Sequence, residues 1–404
     1  MTRVVLYDDG QPALAALADL RPIFDVRTGR LTTRERIELV LGRRADALLV
    51  PAGLAPLARD ATDTPVNPPD LPADALLVNG RCVLPPATLA ILATGEALIE
   101  ATTGEVIAAR LDRSAARLFA ESFALPDRVH TTTPPAPCLL RRPWDVIRFR
   151  DEAIRRDLDA AIADQPGNPP AGPTVLGAHA IRVDPSATLA PGITLDAQRG
   201  AIVIDAGVTI RPGAIIVGPA SIGAGSTILE HALIKANTAI GPACKVAGEV
   251  GGAIFQSHSN KAHDGHLGDA WIGQWVNLGA GTINSNLLNT YGQVNAAATP
   301  DAPRERTGLT FFGCVLGDHV KTAIGTRIMT GAIIGAGAMI ASTAPPPPTV
   351  RRFSWITDAA SGEGAPRYKL DRFLEAAQRM MSRRGVDLTP ALRARITALH
   401  EGSA

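Results

Sequence analysis

The sequence predicts an α/β amino-terminal domain of Rossmann type, followed by a parallel β-helix and a carboxy-terminal helix. Three observations carry this. An aliphatic side chain recurs at every sixth position through the middle of the chain. Glycine (38) and proline (32) are abundant among the 404 residues while aromatics make up only 4%, so the core is built from small and β-branched side chains. The segments before and after the repeat lose the six-residue rhythm, the first reading as strands and helices and the second as a helix.

The repeat decides the class. Stepping by six gives Ile204, Ile210, Ile216, Ile222, Ile228, Ile234, Ile240 and Val246, all β-branched. Four residues after each come Val208, Ala214, Ala220, Ser226, Ala232, Thr238, Cys244 and Val250, all small or β-branched. The rhythm begins upstream with Val183, Leu189 and Leu195 and slips by three residues near Gln198-Arg199-Gly200. It returns as Leu267, Ile272 and Leu278, then as Leu316, Thr322, Ile328, Ile334 and Ile340. A helix needs a period near 3.6 and a half-exposed sheet a period of 2, so a period of six means a short strand and then a corner, with three faces to each coil.

The remaining elements divide the chain at residues 1–140, 141–172, 173–344 and 345–404. Val4-Val-Leu-Tyr7 and Leu76-Leu-Val78 read as buried strands, and Leu31–Leu41 as an amphipathic helix with Thr32 or Thr33 near its cap. Residues Trp144 to Ala163 suggest a connecting helix, and Gln165 to Pro173 an entry linker. Pro345 to Pro348 reads as a rigid stop after the last coil, and Lys369 to Arg384 as an amphipathic helix with Leu370, Phe373, Leu374 and Ala377 on one face.

Charge and composition narrow the function. The 40 basic and 39 acidic residues leave no electrostatic footprint for nucleic acid or a membrane as partner. No uncharged apolar stretch is long enough to span a bilayer, and the start, MTRVVLYDDG, has no apolar signal region. Cys82, Cys138, Cys244 and Cys314 form no CxxC pair and read as buried small hydrophobes in a reducing cytoplasm, with no metal site expected.

The rhythm fails twice, and the failures collect the chemistry. Between Val246 and Leu267 lie His258, His263 and His266; after Leu278 lie Asn284, Asn286, Asn289 and Tyr291. An imidazole ringed by amides suits acylation of an amine or hydroxyl: the base takes a proton, and amides and backbone N–H groups hold a sugar and the developing oxyanion.

The run Ser259-Asn-Lys-Ala-His263 through Leu267-Gly-Asp-Ala-Trp-Ile-Gly-Gln-Trp-Val-Asn277-Leu-Gly-Ala-Gly-Thr282 resembles the acetyltransferase half of the bifunctional bacterial family that makes UDP-N-acetylglucosamine. That resemblance implies a left-handed β-helix of hexapeptide repeats, a homotrimer with sites between neighbouring helices, and acetyl-CoA as donor to an amino-sugar phosphate or nucleotide sugar. It places His263 as general base, Asn277 as the residue orienting base and sugar, Asn286 as a sugar contact, and Ala280 where a backbone N–H meets the thioester carbonyl. Asn284, Lys261, Lys245, Glu249 and Tyr291 are further candidates for substrate binding. The family's tyrosine before Leu-Gly-Asp is His266 here, the one after the sugar-contacting asparagine is Leu287, and the following lysine aligns near Gly292.

Residues Arg21 to Glu35 (RPIFDVRTGRLTTRE) resemble a divergent branch of the same family, in which a shortened nucleotidyltransferase-like domain is fused to the β-helix. The first strand runs into Asp8-Asp9-Gly10 without the glycine-rich triphosphate loop, and Asn79 stands where such enzymes carry a magnesium-binding aspartate. Thr28, Gly29, Thr32 and Arg34 remain candidates to contact a phosphate, with Mg²⁺ required only if this domain is active. A nucleotidyltransferase and a non-catalytic sugar-nucleotide scaffold stand as alternatives to the acyltransferase.

Overall fold

The computed structural model describes residues 2–165, 167, 171–360 and 364–402. The expected linker from Gln165 to Pro173 lies partly outside the described residues.

The amino-terminal sheet holds six strands: β1 (Arg3–Tyr7), β2 (Ala47–Leu49), β3 (Asp74–Asn79), β4 (Glu96–Ile99), β5 (Val106–Asp112) and β6 (His130–Thr132). Their order is β2-β1-β3-β5-β4-β6. β1 is parallel to β2 and β3, as in a Rossmann sheet, whereas β5 runs antiparallel to β3 and β4. The helix at Thr33–Leu41 starts with a capping box, in which the Thr32 hydroxyl accepts from the Glu35 N–H and the Glu35 carboxylate accepts from the Thr32 N–H. In the loop beyond β3 the Cys82 and Cys138 sulfurs meet at 3.6 Å, and all four cysteines are buried.

The chain then winds into a left-handed parallel β-helix. Its first face is the six-strand ladder from Thr174–Leu176 to His266–Gly268. The second is a nine-strand ladder from Ile181–Val183 to Thr349–Val350. The third runs from Thr188–Leu189 to Asn260–Lys261, passes through Asn277 and continues to Trp355–Thr357. Both sequence columns point inward, and each of their sixteen residues is 2% exposed or less. Inward hydroxyls serve the backbone: Ser226 donates to the Gly241 carbonyl and accepts from the Cys244 N–H, and Ser259 does the same for Gly273 and Val276.

Two sequence expectations change here. The coil does not stop where the rhythm fails after Val246; it shortens, and Val250, Phe255 and Lys261 take the inward positions, with Val246 paired to Lys261. The Lys261 ammonium therefore lies inside the solenoid, donating to the Ala247 and His263 carbonyls at 3.2 and 2.8 Å. The proline run is no stop either. Pro348 accepts from the Ile333 N–H, and coil strands follow at Thr349–Val350 and Trp355–Thr357, beyond the boundary expected at residue 344.

The two halves share a core. The outward side of the second face (Val203, Ala239, Ile254, Trp271, Val315, Ile333) packs against Trp144, Val146, Ile147, Ile154 and Leu158 of the connecting helices, Asp145–Arg148 and Arg150–Asp164. Residues 285–313 leave the solenoid as an excursion, and its Val294, Ala296 and Phe312 join the same core.

Two tail helices, Leu370–Ser382 and Pro390–Gly402, stand where the sequence predicted one. They bury Phe373, Leu374, Ala377 and Met381 against Trp275 and Phe353 at the corner between the second and third faces. Lys321 is half-buried beneath this tail, donating to the Trp275 carbonyl and to the Met380 sulfur, and desolvation pulls its pKa down to about 7. Unfolding would restore the ordinary value of 10.5, so the unfolded chain binds more protons between about pH 7 and 10.5, and this group's contribution to stability rises with pH across that window. Lys321→Met is expected to raise the melting temperature most at and below pH 7, with the gain fading toward pH 10. Thermal melts of both proteins across that range check this.

Candidate active site

The predicted residues gather at the corner between the third and first faces. On the third face Lys245, Asn260 and Asn277 stack in register on successive coils, pointing outward. On the first face Glu249 and His266 are register partners. The chain turns between these two columns at Ala262–Gly265, which carries His263. The next coil turns at Gly279–Gly281, which carries Ala280.

Each side chain has a definite setting. His263 is exposed and has no side-chain hydrogen bond among the described residues, while its carbonyl is held by Lys261 from within. Asn277 is exposed, and its Oδ1 accepts from Asn260 Nδ2 at 3.4 Å. Asn260 Oδ1 in turn accepts from Arg384 at 2.7 Å, which ties the carboxy-terminal segment to the site. Ala280 is half-buried; its carbonyl accepts from the Gly325 N–H, and its own N–H has no partner among the described residues. Lys245 is exposed beside this corner.

His266 contrasts with His263. Its Nδ1 lies 3.4 Å from Glu249 Oε1, and the same carboxylate oxygen takes the Lys235 ammonium at 3.1 Å. Lys235 is the chief cause that holds the Glu249 carboxyl below its ordinary range, against partial desolvation, with His266 adding to the lowering. A Cβ added to Gly268 would lie 2.6 Å from His266 Nε2 and 2.7 Å from Asn286 Nδ2, so these two nitrogens flank one notch with a glycine floor. Asn286 donates to Asp269 at 2.7 Å, and Asp269 pairs with Arg150 of the connecting helix at 2.6 Å.

Two expected substrate contacts, Asn284 and Lys261, are engaged within the solenoid, and a third, Tyr291, is exposed. Asn284 is buried, with its Oδ1 accepting from the Gly268 N–H at 2.7 Å and its Nδ2 donating to the Gly268 carbonyl at 2.8 Å, so it staples two coils. Lys261 is committed to backbone carbonyls inside the solenoid. Tyr291 sits on the excursion, 75% exposed.

The amino-terminal candidates also have other work. Thr32 is a helix cap, and Arg34 binds Glu38 and Thr64. A side chain on Gly29 would meet Asp157 and Arg36 at 2.6 and 2.9 Å. The Asn79 amide accepts from the Arg81 N–H and donates to the Val106 carbonyl, and Arg81 pairs with Asp9 and Glu105. These residues do not fit a magnesium ion at the end of β3. The segment instead docks the β-helix through Arg21–Asp318, Arg30–Asp205 and the Arg27 N–H to Gln256.

The family model for sugar nucleotidyl transferases matches residues 4–165. The bifunctional protein GlmU of Acaryochloris marina is 30% identical over 181 residues, which cover 39% of this chain and 39% of that protein. Over these spans the chain resembles a divergent GlmU-like family. The GlmU of Acidithiobacillus ferrooxidans is 34% identical over 153 residues, covering 36% of this chain and 30% of that one. The chain spans about two fifths of the length of the curated GlmU relatives it matches. Among solved structures, the acetyltransferase domain of PglB from Neisseria gonorrhoeae aligns over 91% of this chain and all of that one, at 11% identity and a TM-score of 0.19, too loose to bear on function. No helix among the described residues is long and apolar enough to cross a membrane.

Proposed function

We propose that the chain transfers an acetyl group from acetyl-CoA to the amine of an amino-sugar phosphate or nucleotide sugar, in the cytoplasm, at the corner between the third and first faces. The amine nitrogen attacks the thioester carbonyl carbon, the carbon–sulfur bond breaks, and an imidazole takes the amine proton and returns it to the departing CoA thiolate. The observation that carries this reading is the shortened coil. It brings two imidazoles, a carboxylate, two amides and the unpaired Ala280 N–H to one corner of a rigid solenoid. By its place in the motif His263 is the base and Asn277 orients it, while the Ala280 N–H would receive the thioester oxygen. Release of CoA from acetyl-CoA that depends on glucosamine 1-phosphate or a related amino sugar tests the reading.

A homotrimer would close this corner. Ile283 is 40% exposed on the first face, and Ile324, directly above Ala280, is 79% exposed. Large apolar groups beside an open site suit a subunit contact. Ile324→Asp is expected to convert a trimer to monomers, read as a threefold fall in mass by sedimentation.

A second reading, nucleotidyl transfer by the amino-terminal domain, is favoured by the family match over residues 4–165. Pyrophosphate release from UTP and a sugar 1-phosphate tests it. The engagement of Gly29, Thr32, Arg34 and Asn79 in internal contacts leads us to expect none.

A further inference from the structure

We infer that Lys261, a cation sealed inside the solenoid, is the positioning residue of the base: it holds the His263 carbonyl and so fixes the turn that carries the imidazole. This rests on the acyl-transfer reading and keeps His263 as the base. It gives a task to a buried cation that takes no direct part in the reaction.

The register makes this lysine unusual. It is 2% exposed, on an inward position of the third face. Below it the same column holds Ile210, Ile228 and Val246, and above it Leu278. An aliphatic side chain thus fits this position on every neighbouring coil. Lysine puts an ammonium there instead, and desolvation pulls its pKa down to about 8, with Asp264 acting against. The ammonium donates to the Ala247 carbonyl at 3.2 Å and the His263 carbonyl at 2.8 Å, and no carboxylate pairs with it among the described residues. Burial of an unpaired charge is unfavourable, so packing alone would be served better by an aliphatic residue.

The corner explains where the ammonium goes. Two coils below, residues Leu229 to Leu233 join the third face to the first, and Ala232 points inward among them. One coil below, Ala247 to Glu249 make the same connection from Val246 to Val250, without an inward small residue. On the coil of Lys261 the position matching Ala232 is Gly265, which has no side chain. The lysine stem fills the corner that these two coils leave open, and its donors meet carbonyls of both. The Ala247 N–H donates back to the Lys261 carbonyl at 2.7 Å. A Cβ on Gly248 would come within 2.9 Å of the Gly265 oxygen and 3.0 Å of the Asp264 Cα, so the turn rests directly on the coil below.

The base depends on this grip. His263 is exposed, and its imidazole has no hydrogen-bond partner among the described residues. Its aim is therefore set by the backbone. Holding the His263 carbonyl fixes the peptide plane that follows, and with it the direction in which the imidazole leaves the chain. Misplacing a reacting group by about 1 Å lowers the rate by about 100-fold.

Lys261→Met keeps an apolar stem and removes the donors. With acetyl-CoA and glucosamine 1-phosphate, the full-length variant is expected to lose about 10- to 100-fold in kcat. KM for each substrate is expected to stay within about threefold of wild type, because the lysine touches neither. Cleavage of the exposed turn before Asp264 by an aspartate-specific endoprotease is expected to be about tenfold faster, because the turn opens more often. Ile228→Met, an inward change two coils below, is the control and is expected to move none of these. Either effect without the other overturns the inference. Faster cleavage alone makes the lysine a purely structural group, and a loss of kcat alone means that it acts otherwise than through the turn. Wild-type behaviour in both also overturns it and keeps the acyl-transfer reading. No acceptor-dependent turnover by the wild type overturns that reading and this inference together. A further measurement needs no change at Lys261. Nitrogen-15 spectra taken well below pH 8, where the amine is protonated, are expected to show a slowly exchanging lysine ammonium in Lys321→Met as in wild type. Fast exchange of every lysine ammonium in that variant overturns the grip.

Discussion

Asp157→Ala is expected to destabilise the protein by about 3–5 kcal/mol, the cost of leaving a buried guanidinium without its partner. Arg36 and Asp157 are 2% and 0% exposed at the side chain, and they meet through two hydrogen bonds of 2.7 Å. Asp157 also accepts from the Leu31 N–H at 2.9 Å, and Arg36 donates to Thr28 and to the Val83 carbonyl. One carboxylate of the connecting helix thus organises the loop from Thr28 to Leu31 that lies against the β-helix. Replacing both partners with apolar residues of similar volume, Arg36→Met with Asp157→Leu, is expected to recover most of the loss. Denaturant unfolding of the single and double variants measures both.

The second large effect is the loss of turnover in His263→Ala. Its size follows from what a positioned base contributes, about 100- to 10,000-fold, or roughly 3–5 kcal/mol in the barrier. His263 is not part of the hydrophobic core; it is exposed on the turn between the third and first faces. The same substitution is therefore expected to leave the melting temperature close to that of wild type, which separates chemistry from folding. Asn277 is also exposed, so Asn277→Ala offers the same separation.

The solenoid was open to reading because its code is local. A period of six needs only neighbours in sequence, and every residue of both columns from Ile204 to Val250 is an inward residue in the structure. The coil from Val246 to Leu267 escaped because it is short and because Lys261, a charged residue, fills an aliphatic position. Once the shortening is known, Glu249 and His266 fall one coil apart and must stack, which is the signal that would have found their pairing. The role of residues 21–36 was hidden for a different reason. Arg21, Arg30 and Arg36 find their carboxylates at Asp318, Asp205 and Asp157, more than 100 residues away, and no periodicity encodes such pairs. The glycine and threonines that suggested a phosphate cradle serve instead to bring that loop close to the connecting helix.

Acetyl transfer at this corner of the β-helix would leave an N-acetylated amino sugar. The direct measurement is mass spectrometry of the sugar after incubation of the full chain with acetyl-CoA and a panel of amino-sugar phosphates and nucleotide amino sugars. An N-acetylated product is expected from at least one of them, formed in step with CoA release and abolished in the double variant His263→Ala with His266→Ala. Acetyl-CoA left intact across the whole panel, or a product formed equally well by the double variant, would contradict it.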